Sequence, residues 1–401
     1  MTRPFASACR ALLCAPLIMV AMGGAGALAA PAAAAVPPGF VGVDVDGPMV
    51  ASAEGINLAQ QFDLMLRSGV ESVRVAFSWQ QAQPYASWSQ VPAGQTGQFV
   101  DAGGIPTSFV ATDQIVQLAA QRGLRVLPTV IYAPSWDARA NAAGLPVPHS
   151  PGPYAAYLTA LVRRYGPRGS FWAGHPGLHR QPIRLWQIWN EPNLDYYWPQ
   201  PFAHSYVDLL RAAHAAIKHA DPDAQVVLGA LTNTAWTYIG QIARVAGAGR
   251  LFDVVAVNAF TSTPRRVILF LTLVRRAMDN VGERGTPLLA TEMSFPSALG
   301  KSPQNFDWNT TESGQARDVA RLLPLLAAQR TRLSLIGFDY YTWLGAEYPG
   351  APAFNFAGLL RWQNDGTVSA KPALSAFTRA ALALEGCRRI GRRAGTCAAR
   401  G

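Results

Sequence analysis

Two glutamates in this sequence have neighbours that suit acid–base chemistry. Glu191 lies in Trp-Gln-Ile-Trp-Asn-Glu-Pro-Asn (186–193), where a proline directly after the carboxyl group ends an apolar run. Glu292 ends a second apolar run, residues 287–291. Two carboxyl groups that face each other can cleave a glycosidic bond, because one protonates the leaving oxygen while the other attacks the anomeric carbon or activates a water. Each glutamate could instead be a structural carboxylate.

The elements that must position these glutamates alternate regularly along the chain. Eight predicted strands are Phe40–Val45, Ser72–Phe77, Arg125–Ile131, Ile183–Trp189, Gln225–Leu231, Val254–Ala259, Pro287–Thr291 and Leu333–Tyr341. Eight predicted helices are Ile56–Ser68, Thr112–Arg122, Tyr154–Tyr165, Ala203–Ala220, Trp236–Ala246, Arg265–Val281, Glu312–Arg330 and Ala373–Leu384. Strands that are apolar on both faces pair in parallel beneath helices, so the pattern predicts a single-domain α/β fold, a (β/α)8 TIM barrel over residues 38–385. A doubly wound open sheet is the structural alternative, but no glycine fingerprint follows the first strand.

Such a barrel would bring the two glutamates to one mouth. Glu191 follows the fourth predicted strand and Glu292 ends the seventh, so the two lie nearly opposite each other. Three long insertions, Gln83–Pro106, Ala133–Pro153 and Ser294–Thr311, also follow strand ends. They would surround the carboxyl ends of the strands, where barrel active sites form.

With Trp-Asn-Glu-Pro-Asn (189–193) after strand four and Thr-Glu (291–292) closing strand seven, the sequence resembles clan A of the glycoside hydrolases. It is most similar to families 39 and 5, with Tyr-Trp (197–198) following the first motif. The resemblance extends from about residue 38 to 385. It includes Arg-Val-Ala-Phe-Ser-Trp (74–79) after strand two and Tyr-Thr-Trp (341–343) after strand eight.

The resemblance implies a role for each matching residue. Glu191 would be the acid/base and Glu292 the nucleophile of a retaining double displacement. Asn190 would hydrogen-bond the 2-hydroxyl of the sugar, Arg74 would keep the nucleophile ionised, and Trp343 would stack under the sugar ring in the central subsite. Physical chemistry agrees, because a guanidinium lowers a carboxyl pKa whereas apolar neighbours raise it.

Other residues that follow strand ends leave two interpretations open. Asp44 and Asp46, after the first strand, would bind sugar hydroxyls or shape a turn. Trp136 and Trp198 would offer aromatic faces to a sugar or belong to the core. Arg74 could also form a structural ion pair.

The sequence departs from the family pattern near the end of strand six. Clan members usually carry His-x-Tyr there, with the tyrosine supporting the nucleophile, whereas this chain has Asn258 and Phe260. Support for Glu292 is then expected from elsewhere, with Tyr340 or Tyr341 as candidates.

The composition is that of a large folded domain. Of 401 residues, 50 % are hydrophobic and 14 % charged, which excludes disorder and a small disulfide scaffold. Seven arginines at the two ends carry most of the net charge of +10 and leave about +3 for the body, so a nucleic-acid partner is not predicted. The six histidines show no metal-ligand spacing on a common face, and no metal or cofactor is predicted.

Both ends of the chain carry recognisable patterns. Residues 1–35 combine early arginines, a short apolar run and small residues, which is typical of a secretory signal peptide, with an uncleaved membrane anchor as the alternative. No other segment is apolar enough to span a membrane. Cys387 and Cys397 would form a disulfide in the basic tail, 386–401. The tail's arginines would contact acidic cell-surface material or remain solvated.

Taken together, the patterns predict a secreted retaining β-glycosidase that acts on a poly- or oligosaccharide through Glu191 and Glu292. The alternative is a non-catalytic carbohydrate-binding or cell-wall protein on the same barrel. Retention of both glutamates, Asn190 and Arg74 favours the enzyme. The missing tyrosine at position 260 favours the binding protein.

Overall fold

The structure, a computed structural model, describes residues 36–50, 55–363 and 365–385. Eight parallel strands close into a barrel in the order β1-β8-β7-β6-β5-β4-β3-β2. They are β1 Val41–Val45, β2 Ser72–Ser78, β3 Arg125–Ile131, β4 Leu185–Ile188, β5 Gln225–Leu231, β6 Val254–Asn258, β7 Leu288–Glu292 and β8 Leu335–Tyr340. The predicted (β/α)8 barrel is confirmed.

Each strand is followed by a helix that packs outside the barrel. The helices are α1 Leu58–Arg67, α2 Val110–Arg122, α3 Pro151–Tyr165, α4 Ala203–Ala220, α5 Ala235–Ala243, α6 Pro264–Asn280, α7 Glu312–Leu333 and α8 Pro372–Glu385. The predicted elements agree with these bounds to within three residues. The largest differences are at helix ends; for example, α7 continues to Leu333 and ends where Ser334 takes a left-handed conformation.

The sequence specifies these elements through burial and capping. In β5, every residue after Gln225 is buried, as expected of a strand covered on both faces. Side-chain oxygens begin three helices by accepting backbone N–H groups: Asn57 caps α1, Thr263 caps α6 and Thr311 caps α7. A proline in the first turn of α6 fits the same start.

Closure of the barrel depends on the register of the first strand. β1 pairs with β8 through Val41 and Phe338 and with β2 through Gly42 and Ser72. Among the described residues the core has three parts: a large shell between strands and helices, a small cluster inside the barrel, and a small cluster of Ala298, Ala351, Ala353 and Phe356 in the mouth connections. The inner cluster consists of Leu127, Val227, Ala230, Val254, Ala256 and Leu289.

The connections on the carboxyl side carry most of the extra structure. The additional elements are the short helices Trp79–Ala82 and Ser170–Gly174, the hairpin Val100–Ala102 with Ile105–Thr107, the pair Ala138–Arg139 with Val147–Pro148, and the three-stranded sheet Leu344–Ala346, Leu360–Trp362 and Val368–Ala370. Single 3-10 turns occur at Gly47–Met49, Trp88–Gln90, Ala93–Gln98, Ala248–Arg250 and Ala353–Phe356.

The two predicted end segments lie outside the described residues. This applies to the signal peptide, 1–35, and to the tail, 386–401, with its proposed Cys387–Cys397 disulfide. Both stay predictions. Among the helices of the described ranges, none combines the length and apolar character needed to cross a membrane.

Candidate active site

Glu191 and Glu292 both lie at the carboxyl mouth of the barrel. Glu292 is the last residue of β7, and Glu191 follows β4 by three residues; the exposed fractions are 8 % and 7 %. The backbone N–H of Glu191 donates to Ala230 of β5 at 3.0 Å, which fixes the chain beyond β4. Trp189 and Glu191 have φ angles of +65° and +42°, values that non-glycine residues adopt at a cost in free energy. Such strain is typical of functional sites.

Arg74 of β2 connects the residues around Glu292. Its Nη1 donates to Glu292 Oε1 at 2.7 Å and also to the carboxylate of Asp44. Its Nε donates to Gln187 Oε1 at 2.9 Å, and its Nη2 donates to Asn190 Oδ1 at 2.8 Å. All three guanidinium nitrogens therefore have protein acceptors. Arg74 positions its neighbours, and Asp44 is held by that ion pair at the pocket wall.

The orientation of Asn190 follows from this contact. Because Arg74 holds its Oδ1, the amide nitrogen Nδ2 is the group left for a ligand. In the described part of the chain, no protein acceptor is recorded for that nitrogen, and Asn190 lines the mouth pocket. An N–H donor here can bind a sugar hydroxyl.

The two carboxyl groups differ in how strongly they hold a proton. Burial, together with the nearby charge of Glu292, raises the pKa of Glu191 to about 8. Burial also raises the pKa of Glu292, but there the Arg74 ion pair acts in the opposite direction. In Glu292 burial outweighs the Arg74 ion pair, so the pKa lies above its ordinary value although Arg74 favours the ionised form. The role implied for Arg74 stays a prediction. Glu191 is nevertheless the group that retains a proton near neutral pH.

Asn258, the last residue of β6, lies close to both glutamates. Its Nδ2 donates to Glu191 Oε1 at 2.7 Å, and its Oδ1 accepts from the hydroxyl of Thr291 at 2.8 Å. The side chain is completely buried, and its hydrogen bonding opposes the rise in pKa of both glutamates. The sequence marked this position only as a departure from a family pattern. Its place at a strand end was the signal for a functional role.

Tyr340 and Tyr341 do not supply the expected support for Glu292. The hydroxyl of Tyr340 is buried outside the barrel and accepts from Gln315 Nε2 at 3.3 Å. The hydroxyl of Tyr341 donates to Asp46 Oδ2 at 2.9 Å. Glu292 is held by Arg74 instead, at 2.7 Å.

Two of the three tryptophans predicted to contact sugar belong to the core. Trp343 is completely buried and donates to Gln61 Oε1 at 2.9 Å, so it offers no face to a ligand. Trp198 is 3 % exposed and donates to Ser205 Oγ. The prediction for Trp343 is wrong, and of the two interpretations left open for Trp198 the structure has the core one, because after these strand ends the chain turns the side chain inward.

Trp136 is half-buried but lies away from the pocket. Its ring packs edge-on against Trp79 at 5.7 Å, and its Nε1 donates to the carbonyl of Gln83 at 2.7 Å. These contacts join two mouth connections to each other. The ring does not line the pocket that contains Glu292.

The pocket at the mouth has a polar floor and tyrosine walls. Its cavity volume is about 80 Å³, and it opens to solvent. Its walls include Asp44, Asp46, Tyr132, Asn190, Tyr197, Glu292 and Tyr341. Sequence reasoning missed two of these as site residues, Tyr132 and Tyr197, whereas Asp46 was a candidate together with Asp44. Tyr132 directly follows β3 with a φ of +69°, so its strand-end position was the available signal.

Within the described residues, no group of three or more His, Cys, Asp or Glu side chains is arranged to hold a metal ion. The site therefore consists of carboxyl, amide, guanidinium and phenol groups.

No protein-family model matches the chain, and no curated protein sequence matches it either. Solved structures do. A family 39 glycoside hydrolase from Bacteroides cellulosilyticus WH2 superposes with a TM-score of 0.60 at 18 % identity, over 87 % of this chain and 64 % of that one. A monomeric beta-xylosidase from Caulobacter crescentus CB15 superposes with a TM-score of 0.60 at 20 % identity, over 86 % of this chain and 69 % of that one. A glucosidase from Croceicoccus marinus superposes with a TM-score of 0.60 at 16 % identity, over 88 % of this chain and 70 % of that one.

These similarities show the fold. The barrel implied by the resemblance to clan A is the barrel of these glycoside hydrolase structures. The chain covers less than two thirds of the Bacteroides structure. What it acts on must therefore be argued from its own site.

Proposed function

We propose that this protein is a retaining glycoside hydrolase in which Glu191 is the acid/base and Glu292 the nucleophile. The observation that carries the proposal is the asymmetric pair of buried carboxyl groups at the barrel mouth. One of them is paired with a guanidinium, and the other has a pKa raised to about 8. Hydrolysis by double displacement needs one ionised and one protonated carboxyl group.

The first half of the reaction forms a covalent intermediate. A carboxylate oxygen of Glu292 attacks the anomeric carbon while Glu191 donates its proton to the departing glycosidic oxygen. The Arg74 contact at 2.7 Å favours the ionised form of Glu292 before attack. Asn190 Nδ2 would donate to a hydroxyl of the same sugar ring.

The second half returns both glutamates to their starting states. Glu191, now ionised, accepts a proton from water as that water attacks the anomeric carbon, and Glu292 leaves as a carboxylate. The result is net retention of configuration. The Asn258 N–H group remains bonded to Glu191 Oε1 and stabilises the carboxylate formed in the first half.

The spacing of the carboxyl groups supports retention over inversion. Asn258 Nδ2 donates to Glu191 Oε1 at 2.7 Å, and the same amide opposes the rise in the pKa of Glu292, so both carboxyl groups lie close to one amide group. A retaining enzyme needs about 5 to 5.5 Å between its carboxyl groups, and an inverting enzyme about 6.5 to 9.5 Å.

The substrate class is proposed to be β-linked oligo- or polysaccharide, and the protein is proposed to act outside the cell. Secretion rests on the pattern of residues 1–35 alone. The sugar remains to be identified with a panel. Such a panel begins with aryl β-xylosides and β-glucosides, because a beta-xylosidase and a glucosidase share the fold.

Azide rescue tests the assignment of both glutamates. We expect Glu292→Ala to abolish turnover and, with azide, to yield a glycosyl azide of inverted configuration. Glu191→Ala with azide should yield the retained configuration, because azide then attacks the glycosyl-enzyme. Asp208→Ala on α4, whose carboxylate lies at the surface, is the matched control and should keep wild-type rates.

Equal residual rates in wild type and Glu292→Ala would overturn the assignment. Sugar binding without turnover by the wild type would instead identify the alternative, a non-catalytic carbohydrate-binding protein.

A further inference from the structure

Five aromatic rings form one cluster on three neighbouring mouth connections. We call it the mouth aromatic cluster, and its members are Phe260 after β6, Phe306 and Trp308 after β7, and Tyr341 and Phe354 after β8. Centroids of contacting rings lie 5.0 to 6.2 Å apart. Every one of the five side chains is half-buried. By contrast, Trp186 and Trp343 are completely buried.

The cluster begins at the wall of the catalytic pocket. Tyr341 lines that pocket, and its ring contacts Phe260 at 5.9 Å and Phe354 at 5.8 Å. Its hydroxyl donates to Asp46 in the same pocket, which holds the ring in place. Phe260 follows Asn258 by two residues, so the cluster also lies close to the group that binds Glu191.

Hydrogen bonds fix the two connections that carry most of the cluster. The N–H of Ser297 donates to the carbonyl of Phe356 at 3.1 Å, and the N–H of Ala353 donates to Gln304 Oε1 at 2.9 Å. The buried Lys371 ammonium donates to the same Phe356 carbonyl at 2.8 Å. The rings are therefore presented by a preorganised surface, which lowers the entropy lost when a ligand binds.

We propose that the mouth aromatic cluster binds a second ring of the substrate, namely the sugar residue joined to the one whose bond is cleaved. This inference rests on the proposed glycosidase function and adds that the substrate has at least two rings. Aromatic rings complement the apolar face of a sugar ring, and half-exposed apolar side chains beside a polar pocket mark binding surfaces. A polar pocket and an apolar platform side by side suit an oligosaccharide better than a single sugar.

The test compares substrates with one ring and with two. We would measure kcat/KM for glycosyl fluorides, which carry one ring, and for di- and trisaccharides of the same sugar. Trp308→Ala and Phe354→Ala should each lower kcat/KM on the oligosaccharides about tenfold, mainly through KM, and leave the fluorides within about twofold. Trp308→Phe, which keeps a ring, should restore most of the loss. Phe99→Ala is the matched control, since Phe99 is a half-buried ring on the β2 connection, 5.7 Å from Tyr85.

Three other results would each overturn the inference, and each has a different meaning. Equal losses on fluorides and oligosaccharides would show that the cluster only supports the fold. Unchanged kinetics in both variants would refute the second subsite and leave the catalytic assignment intact. Losses confined to aryl glycosides would assign the cluster to an aromatic leaving group.

If the wild type turns over none of these substrates, a binding experiment tests the inference instead. Calorimetry with xylo- and cello-oligosaccharides would then replace kinetics. Weaker binding in Trp308→Ala than in Phe99→Ala would support the subsite without catalysis. No binding by any variant would overturn both the proposed function and this inference.

Discussion

At the scale of single residues, the chemistry depends on which carboxyl group holds the proton. The two glutamates share burial and differ in partners: Glu292 contacts the guanidinium of Arg74, whereas Glu191 contacts the neutral amide of Asn258. An amide cannot titrate, so it stabilises the carboxylate of Glu191 without supplying a positive charge. This leaves the pKa of Glu191 at about 8, high enough for a general acid near neutral pH.

Removal of the Asn258 amide should shift the pH dependence of catalysis upwards. Its N–H stabilises the ionised form of Glu191, so Asn258→Ala should move the alkaline limb of kcat/KM higher by about one pH unit. The acid limb, set by Glu292, should move in the same direction, since Asn258 lowers that pKa too. The measurement is a pH profile of kcat/KM on a glycosyl fluoride. Asn141→Ala, an asparagine bonded to backbone carbonyls elsewhere at the mouth, should leave both limbs in place. An alkaline limb that moves down would contradict the assigned role.

The sequence identified some residues of the site and misplaced others for a physical reason. Glu191 and Glu292 were found because each stands at the end of a predicted strand in a motif that resembles those of clan A, and Arg74 was found through the same resemblance. Trp343 and Trp198 also follow strand ends, but a large apolar side chain gains more from burial in the shell than from the mouth. A strand-end position tells which end of the barrel a residue occupies, and it does not tell which way the side chain turns.

At the scale of elements, the strands were predictable because they are buried on both faces. β3 and β5 are nearly continuous apolar runs that alternate along the chain with amphipathic helices, and such runs are typical of parallel strands covered on both faces. Helix ends were less predictable, since the last turn depends on a local cap such as the left-handed Ser334 after α7. The mouth connections were predicted only as insertions, because their conformation depends on contacts between distant segments.

One such contact holds the Glu191 segment onto the neighbouring strand. Asn193 Nδ2 donates to the carbonyl of Thr232, and the N–H of Thr232 donates to Asn193 Oδ1, both at 3.1 Å and buried. Asn193→Ala leaves these two backbone groups without that partner, so we expect a loss of about 2 to 4 kcal/mol in the free energy of unfolding. We also expect a lower kcat, because Glu191 lies on the released segment.

Urea unfolding and kinetics would check this prediction together. Asn193→Asp keeps the acceptor for the Thr232 N–H and should lose about half as much stability. Asn57→Ala is a comparison at a distance, since it removes a helix cap on α1 without touching the mouth. It should lower stability by about 1 kcal/mol and leave kcat unchanged. Full activity in Asn193→Ala would refute the proposed anchoring.

At the scale of the whole molecule, the barrel keeps several carboxyl groups out of water. Besides the two glutamates, Asp339 of β8 is 2 % exposed, and burial raises its pKa to about 7. The missing side chain of Gly42 makes room for it beside Ser72. The acidic centre of the barrel is therefore a cost to folding that the surrounding shell of apolar residues must offset.

That cost should appear as a pH dependence of stability with a definite sign. A carboxyl group whose pKa is raised on folding binds more protons in the native state between its unfolded and folded pKa values. Stability therefore falls as pH rises, from about 4.5 to about 8 for Glu191 and from about 3.8 to about 7 for Asp339. Glu191→Gln and Asp339→Asn remove the cost while keeping an acceptor for their neighbours. At pH 9 the free energy of unfolding of each variant should exceed that of the wild type by about 2 kcal/mol, and at pH 4 the differences should vanish.

Denaturant unfolding of the two variants and their combination at both pH values would decide the matter. Other carboxyl groups also make stability depend on pH. Despite partial burial, Lys301 and Arg361 lower the pKa of Glu312, so its contribution to stability rises with pH. Comparing each variant with the wild type cancels such contributions. Additive gains at pH 9 would indicate that Glu191 and Asp339 act as separate charges within one barrel. A gain that is equally large at pH 4 would mean that packing, not ionisation, is responsible. In that case the raised pKa of Glu191 would lose its support, and the choice of Glu191 as the proton donor would have to rest on azide rescue alone.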